Sequence, residues 1–273
     1  MSLEPADFSY VRKLVYDNSA ILLEPGKEYL VKSRLRSLLT KEKLNSFAAL
    51  INQLRTSPYG AMHQDVVEAM TTNETSFFRD IHPFEAMKKH IIPEMQKKRS
   101  ATRRLNIWSG ACSSGQEPYS MAMLIRENFP MLSDWGITIV ASDISEEMLN
   151  TARTGCYGQL EMNRGLPALL MVKYFEKNGS GWQARADIRK MIKFVQLNLS
   201  GSWPQLADMD IIFLRNVLIY FDKETKQAIL EKIRQRLKPD GYLFLGSAET
   251  TFNLSDAFER VLLDKAVCYR LRS

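Results

Sequence analysis

The polar residues that could do chemistry in this chain follow four short apolar runs, each typical of a buried β-strand. The runs ITIVASD, IKFVQLNL and DIIFLRN end in Asp143, in Asn198 with Leu199, and in Arg215 with Asn216. A fourth run, LNIWSGA, opens into the loop SGACSSGQEPYS at residues 109–120. The carboxyl ends of parallel strands form one edge of a sheet, where ligands bind, so we expect these residues to line one pocket.

The loop at 109–120 favours a nucleoside ligand without phosphates. Gly110 and Gly115 let the backbone approach a ligand closely, and their spacing is that of a phosphate-binding loop. Gln116, however, stands where that loop requires lysine, and Glu117 would repel a phosphate. The glycine spacing also differs from the dinucleotide fingerprint, which argues against a nicotinamide oxidoreductase.

Two strand ends predict how a nucleoside would be held. Asp143 is placed to accept hydrogen bonds from both ribose hydroxyls. Asn198 and the backbone of Leu199 would meet an adenine edge. An alternative remains open for Asp143, because an aspartate after a strand is often the cap of the next helix.

The elements that must position these residues change along the chain. Residues 1–72 show helical spacing of apolar residues and no convincing strand, which predicts an N-terminal all-α domain. Residues 73–104 form a linker and a helix. From 105 to 273, strand-like and helix-like runs alternate, which predicts an α/β domain with a parallel sheet and helices on both faces. The last run, KAVCYRLRS, is a candidate for the final sheet strand.

One segment, at about 158–192, interrupts this alternation. It is rich in glycine and contains Asn178-Gly179, a dipeptide that indicates a β-hairpin, followed by the hairpin-like run WQARADIRKMIKF. We therefore expect a small antiparallel β insertion on the main sheet.

Composition narrows the class of protein. Thirty-seven Lys and Arg against 31 Asp and Glu give a net charge of +6, which suits an acidic partner without indicating nucleic acid. No apolar run reaches the ~18 residues of a membrane span, and the first residues lack a secretory core, so we expect a cytoplasmic protein without membrane insertion. The scattered cysteines and histidines have no metal-ligand spacing, so no metal is expected.

Five motifs occur in order along the chain: TTNETSFFRD (71–80), SGACSSGQEPYS (109–120), ASDIS (141–145), RNVLIYFD (215–222) and LKPDGYLFLGSAE (237–249). Together they resemble the chemotaxis receptor methyltransferase (CheR) family over nearly the whole chain. The resemblance implies a Rossmann-like sheet that binds S-adenosyl-L-methionine, with an N-terminal all-α domain and a small antiparallel β insertion. It also implies methyl transfer to glutamate side chains of chemoreceptors, leaving S-adenosyl-L-homocysteine.

The resemblance further implies a cofactor site, transferred from matching motif positions. Its members are Asn73, Thr75, Arg79, Ala111, Glu117, Asp143, Asn198, Leu199, Arg215 and Asn216. The first three would close over the methionine part of the cofactor. Arg79 and Tyr220 would lie nearest the reacting groups as catalytic residues. For Tyr220 a core position is the alternative, because its neighbours form a buried-looking run.

The implied reaction needs little from the protein beyond positioning. A glutamate carboxylate has a reference pKa of ~4.3 and is already a nucleophile at neutral pH. A general base is therefore unnecessary, and catalysis would rest on alignment and electrostatics.

The implied partner is the glutamate-rich helical cytoplasmic domain of a methyl-accepting chemotaxis receptor. The run VKSRLRSLLTKEKL concentrates basic residues, with Arg34 and Arg36 as substrate-docking candidates; a merely solvated helix face is the alternative. The insertion looks shorter than in members that grip a receptor tether, which favours a tether-independent enzyme. We also expect the protein to be a monomer and to have room for a regulatory protein partner.

Two other functions remain open from the sequence. A methyltransferase acting on RNA or a small molecule is compatible with the pI of 9.1, although no aromatic-interleaved basic segment is present. A non-catalytic, cofactor-sensing adaptor would keep the same pocket.

Overall fold

The computed structural model describes residues 2–272 and begins with four helices. They are α1 (Pro5–Ser19), α2 (Glu28–Lys41), α3 (Phe47–Thr56) and α4 (Ala61–Ala69). The Ser46 hydroxyl caps α3 by accepting a hydrogen bond from the Ala49 amide at 3.1 Å. Apolar side chains spaced at helical intervals, such as Val11, Leu35 and Leu50, meet in one buried cluster.

A bent helical segment follows the linker. It consists of α5 (His82–Ala86), a π-helical turn (Met87–Ile91) and α6 (Ile92–Lys98). Pro93 has no amide hydrogen to donate to the preceding turn, and the π-helical turn lies directly before it. The proline therefore changes the helical hydrogen bonding locally without ending the helix.

The strands form one large and one small sheet. In chain order they are β1 (Arg104–Gly110), β2 (Gly136–Asp143), β3 (Cys156–Tyr157), β4 (Phe175–Asn178), β5 (Gly181–Ala184), β6 (Ile192–Gln196), β7 (Met209–Leu214), β8 (Leu237–Leu245), β9 (Phe258–Leu263) and β10 (Ala266–Leu271). The large sheet has the order β6-β2-β1-β7-β8-β10-β9, and its first five strands are parallel. The predicted α/β class with a largely parallel sheet is confirmed.

Helices cover both faces of the large sheet. They are α7 (Gln116–Asn128), α8 (Glu146–Thr154) and α12 (Lys223–Arg236). Successive strand residues point to opposite faces, so Ile107 packs in the cluster that contains α7 and α8, while Trp108 packs in the cluster with α12. The sheet therefore lies between two buried apolar layers.

The small sheet has the antiparallel order β3-β5-β4 and lies between α8 and β6 in the chain. Short helices complete it: α9 (Gln159–Met162), α10 (Ala168–Tyr174) and α11 (Ala186–Arg189). The hairpin at Asn178-Gly179 is present, between β4 and β5. Strand β3 begins two residues before position 158, and the run at 182–194 is not a hairpin, because α11 separates β5 from β6.

The C-terminal strands depart from the sequence prediction. The last run does form a strand, β10, but it lies between β8 and β9. The outer strand β9 was not predicted, because its charged residues Glu259 and Arg260 are exposed at the sheet edge and hide the apolar alternation. Between residues 2 and 272, no helix combines the length and apolar character needed to cross a membrane.

Candidate active site

A cavity lies where four parallel strands end. Ala111 follows β1, Asp143 ends β2, Asn198 follows β6 and Arg215 follows β7, and all four line it. The cavity encloses about 1090 Å³, including its open mouth. The strand ends therefore converge as the parallel sheet predicts.

Every cofactor-site residue named from the sequence lines this cavity. The set is Asn73, Thr75, Arg79, Ala111, Glu117, Asp143, Asn198, Leu199, Arg215 and Asn216, and Tyr220 lines it as well. The fold brings these residues together, and their roles toward a ligand stay a prediction.

Asp143 is not the cap of α8: Ser145 is, because its hydroxyl accepts a hydrogen bond from the Met148 amide at 3.3 Å. The Asp143 carboxylate instead binds two nearby amides. Its Oδ1 accepts a hydrogen bond from the Ser145 amide at 3.0 Å, at the start of α8, and its Oδ2 accepts one from the Ser113 amide at 2.7 Å. Each carboxylate oxygen has a further lone pair, so two more donors can be accepted from the cavity. Burial raises the pKa of the Asp143 carboxyl above its ordinary value.

Arg215 is the buried charge at the end of β7, with a side chain only 2% exposed. Its guanidinium donates to Glu117 Oε2 at 2.8 Å, to Asp80 Oδ2 at 2.8 Å and to the Arg79 carbonyl at 2.9 Å. Ser109 donates to the other Glu117 oxygen at 2.8 Å. Within residues 2–272, the Arg215 Nε is buried and has no hydrogen-bond partner. Two carboxylates therefore balance the Arg215 charge, and one N–H of its guanidinium has no acceptor within the described residues.

The loop after β1 turns sharply beside the cavity. Ala111 has a φ of +54°, in the left-handed region that residues with a side chain seldom adopt. Gly115 has a φ of +94°, and a Cβ there would lie 2.8 Å from the Ala152 Cβ. The glycine thus permits both the turn and the close packing of the loop on α8.

The linker block at 71–80 is anchored on the small sheet. The Phe77 ring is fully buried and packs edge-on against Tyr157 at 5.2 Å and Phe175 at 5.6 Å, both measured between ring centroids. The Ser113 hydroxyl also donates to the Asn73 carbonyl at 2.8 Å. These contacts bring the residues around Phe77 to the cavity wall.

The N-terminal helices also reach the cavity, which sequence reasoning missed. Ser19, the last residue of α1, and Ile21, two residues further on, line it. The Asn198 side-chain amide donates to the Asn18 carbonyl at 2.7 Å, and the Leu22 amide donates to the Tyr220 carbonyl at 2.9 Å. Both hydrogen bonds are accepted by main-chain carbonyls, and the types of side chain in a sequence do not predict such contacts.

Two charged residues outside the cavity wall hold its loops, and the sequence did not single out either. The Lys232 ammonium donates to the carbonyls of Leu199, Ser200 and Gly201, at 3.2, 3.1 and 2.7 Å. The Glu249 carboxylate accepts backbone amides from the segment after β7. Glu249 ends the LKPDGYLFLGSAE motif, and that position was the available signal.

The remaining predicted residues differ in their surroundings. Tyr220 is half-buried at the end of a 3-10 turn (Leu218–Tyr220), with no hydrogen bond to its hydroxyl in the described chain. Arg34 is half-buried and donates to the Met70 carbonyl at 2.6 Å and the Thr72 hydroxyl at 2.8 Å. Arg36 is exposed on the same helix. Arg34 therefore braces the linker, whereas Arg36 faces solvent.

The charges around the cavity have both signs. Arg79 and Arg215 line it together with Glu74, Glu117 and Asp143. A ligand with both a carboxylate and cationic groups would meet complementary partners there. S-adenosyl-L-methionine has this charge pattern and also a ribose and an adenine, so the residues present fit it.

Comparison with known proteins identifies the family. Residues 73–267 match the family model described as CheR methyltransferase, SAM binding domain, and residues 6–71 match CheR methyltransferase, all-alpha domain. The chain is 43% identical to Chemotaxis protein methyltransferase 1 of Pseudomonas aeruginosa and 41% identical to Chemotaxis protein methyltransferase Cher2 of Pseudomonas putida, with 100% of each chain covered. It is 41% identical to Chemotaxis protein methyltransferase 1 of Vibrio cholerae over 92% of both chains. The chain therefore belongs to the CheR methyltransferase family and is an S-adenosyl-L-methionine-dependent methyltransferase.

Proposed function

We propose that the chain methylates glutamate γ-carboxylates on the cytoplasmic domains of chemoreceptors, producing glutamate methyl esters. The observation that carries the proposal is the cavity at the strand ends, which gathers all the predicted cofactor residues together with Arg79 and Tyr220. The relatives are named chemotaxis protein methyltransferases, which supports a role in chemotaxis. The receptor as substrate is our inference from the family resemblance.

Cofactor binding would divide among the cavity walls. Asp143 would accept hydrogen bonds from the ribose hydroxyls, and Asn198 with the Leu199 backbone would contact adenine. On the opposite side, Arg79 and Glu117 would bind the charged groups of the methionine part. The remaining candidates would complete the enclosure: Asn73, Thr75, Ala111, Arg215 and Asn216.

When bound, S-adenosyl-L-methionine supplies an electrophilic methyl group. The substrate glutamate, with a reference pKa of ~4.3, is ionised at neutral pH, so the chain's residues need only orient its carboxylate and exclude water. Arg79 uses one nitrogen on the Glu74 carbonyl at 2.8 Å, and its other donors have no partner within residues 2–272. Those donors are available to a carboxylate at the cavity mouth.

Tyr220 would orient the substrate carboxylate by donating its hydroxyl proton in a hydrogen bond. Replacing Tyr220 with Phe removes only that hydroxyl, so we expect kcat to fall about tenfold. The dissociation constant of S-adenosyl-L-homocysteine should stay unchanged. Titration calorimetry and receptor methylation rates check this; equal losses in affinity and turnover would contradict the catalytic role.

Receptor docking would use the basic face of α2, with Arg36 and Arg34. Arg36 gives the cleaner test, because Arg34 also braces the linker. We expect Arg36→Glu to raise the receptor KM about threefold at low salt, because it reverses one charge toward an acidic helical bundle. The matched control is Arg104→Glu, an exposed charge reversal at the amino end of β1. Equal KM values for the two variants would contradict docking at α2.

The proposal also assigns the parts of the chain. Residues 1–72 would be the receptor-facing domain, 73–104 the linker and helix, and 105–273 the methyltransferase domain with its β insertion. The protein would act in the cytoplasm as a monomer, without a receptor tether, and a regulatory protein partner would be accommodated.

The experiment that tests the function is transfer of radiolabelled methyl groups from S-adenosyl-L-methionine to receptor-containing bacterial membranes. We expect label on a receptor-sized band that mild alkali releases, because carboxyl methyl esters hydrolyse in alkali. Arg36→Glu should label more slowly and Arg104→Glu should match wild type. Alkali-stable label, or cofactor binding without receptor label, would contradict a glutamate ester product.

A further inference from the structure

The Glu249 carboxylate binds four backbone amides. Its Oε2 accepts hydrogen bonds from the Gly246 amide at 2.6 Å and the Asn216 amide at 2.8 Å. Its Oε1 accepts from the Val217 amide at 2.8 Å and the Ile219 amide at 3.3 Å. Three of these donors belong to the segment 216–220, which joins β7 to α12.

The segment 216–220 carries two cavity residues at its ends. Asn216 has a φ of +58°, in the left-handed region, and Tyr220 ends the short 3-10 turn. Neither a strand ladder nor a long helix holds this stretch, so its amides need other acceptors. One carboxylate supplies them and thereby determines how the segment turns.

Glu249 can reach the segment because residue 246 has no side chain. A Cβ on Gly246 would lie 2.7 Å from Glu249 Oε2 and 2.8 Å from the Asn216 amide nitrogen. Cβ atoms in real proteins essentially never come this close to another heavy atom. Only a glycine therefore lets the carboxylate and the segment pack together at this position. Glu249 itself is not among the residues lining the cavity.

We propose that Glu249 is a positioning residue of the methyl-transfer site, which sets the placement of Asn216 and Tyr220 by holding the segment 216–220. The inference rests on the proposed function, because it is through these two residues that Glu249 acts. A glutamine there has nearly the same size, but either orientation of its amide points an NH₂ group at two backbone amides. Two of the four hydrogen bonds are then lost without a cavity being created.

The test compares Glu249→Gln with Glu259→Gln, an exposed glutamate on the edge strand β9. At a temperature where all variants are folded, we expect Glu249→Gln to weaken S-adenosyl-L-homocysteine binding and to lower kcat, each about tenfold. Glu259→Gln should match wild type in both. Glu249→Asp, which keeps the charge on a shorter side chain, should show a smaller loss, and it serves if the glutamine variant does not fold.

A double-mutant cycle with Tyr220→Phe separates positioning from a general loss of stability. If Glu249 places Tyr220, removing the hydroxyl costs less in the Glu249→Gln background than in wild type. Independent, multiplying effects on kcat, or a lower Tm with unchanged affinity and kcat, would overturn the inference. Wild-type protein that binds the cofactor but does not methylate receptors would instead contradict the proposed substrate, and Glu249 would then be judged on cofactor affinity alone.

Discussion

Two arginine clusters lie at opposite ends of the same sheet and are completed differently. At the amino ends of the strands, Arg99 uses all three nitrogens: Nε donates to Asp210 at 2.6 Å, and the two terminal nitrogens donate to Asp240 at 3.0 and 2.5 Å. Lys238 and the Asn106 amide add further bonds to Asp210. At the carboxyl ends, Arg215 leaves its Nε without a partner in the described chain.

We infer from this difference that the cluster around Arg99 is structural and that the cluster around Arg215 binds the ligand. The Asp210 side chain is fully buried, and its charge is balanced within the protein by Arg99 and Lys238. The hydrogen bond from Arg99 lowers the pKa of the Asp240 carboxyl, so Asp240 stays ionised in mild acid. The cluster around Arg215 borders the cavity, and one of its N–H groups has no partner within residues 2–272. We therefore predict that similar residue types serve stability at one end and ligand binding at the other.

The largest expected effect is the loss of stability in Arg99→Met. Removing one partner from a buried ionic cluster leaves Asp210 and Asp240 poorly compensated, so the free energy of unfolding should fall by about 3 kcal/mol. Denaturant unfolding measures this. The dissociation constant of S-adenosyl-L-homocysteine, measured where the variant is folded, should stay within about twofold of wild type; a large loss of affinity would contradict a purely structural role.

The next effect should come from Arg215→Met at the other end. Loss of a buried, charge-assisted donor at the cavity should weaken S-adenosyl-L-homocysteine about 100-fold, because Glu117 is also left without its cation. Titration calorimetry measures the dissociation constant of S-adenosyl-L-homocysteine for this variant and for Arg99→Met. If both variants lost stability equally and Arg215→Met kept its affinity, the two clusters would have the same role.

A smaller effect, the pH dependence of binding, sharpens the comparison. Burial raises the pKa of Asp143, so a falling pH protonates this carboxyl before an ordinary aspartate of pKa ~3.9 and removes acceptors from the ribose. We expect affinity to be weaker at pH 5 than at pH 7. The Asp240 pKa is lowered, so its stabilisation persists at pH 5 and Tm should change little. Asp143→Asn should abolish the pH dependence; a variant as pH-sensitive as wild type would exclude Asp143 as the titrating group.

The sequence predicted most of the fold, because its signals there are local. Helical spacing of apolar residues indicated the N-terminal helices, and apolar runs ending in polar residues indicated the parallel strands. Strand β9 was missed because an edge strand needs little apolar alternation. The π-helical turn before Pro93 was missed because proline in a helix ordinarily indicates an end.

For the candidate site, the sequence was informative about residues that carry side chains into the cavity. It was less informative about what holds them. Glu249 and Lys232 act on backbone amides and carbonyls of loops that are distant in sequence, and the contact of Asn198 is with a carbonyl of the N-terminal helix. Such contacts depend on tertiary geometry, which residue type and spacing do not determine.

The most direct test of the account is a crystal structure of the protein with S-adenosyl-L-homocysteine. We expect the ligand in the cavity at the strand ends, with its ribose hydroxyls on the Asp143 carboxylate and its amino-acid part beside Glu117 and the two cavity arginines, Arg79 and Arg215. The cluster around Arg99 should be unchanged. A ligand bound elsewhere, or one in the cavity that makes no contact with Asp143 or with either arginine, would contradict the assignment of the carboxyl-end cluster to binding.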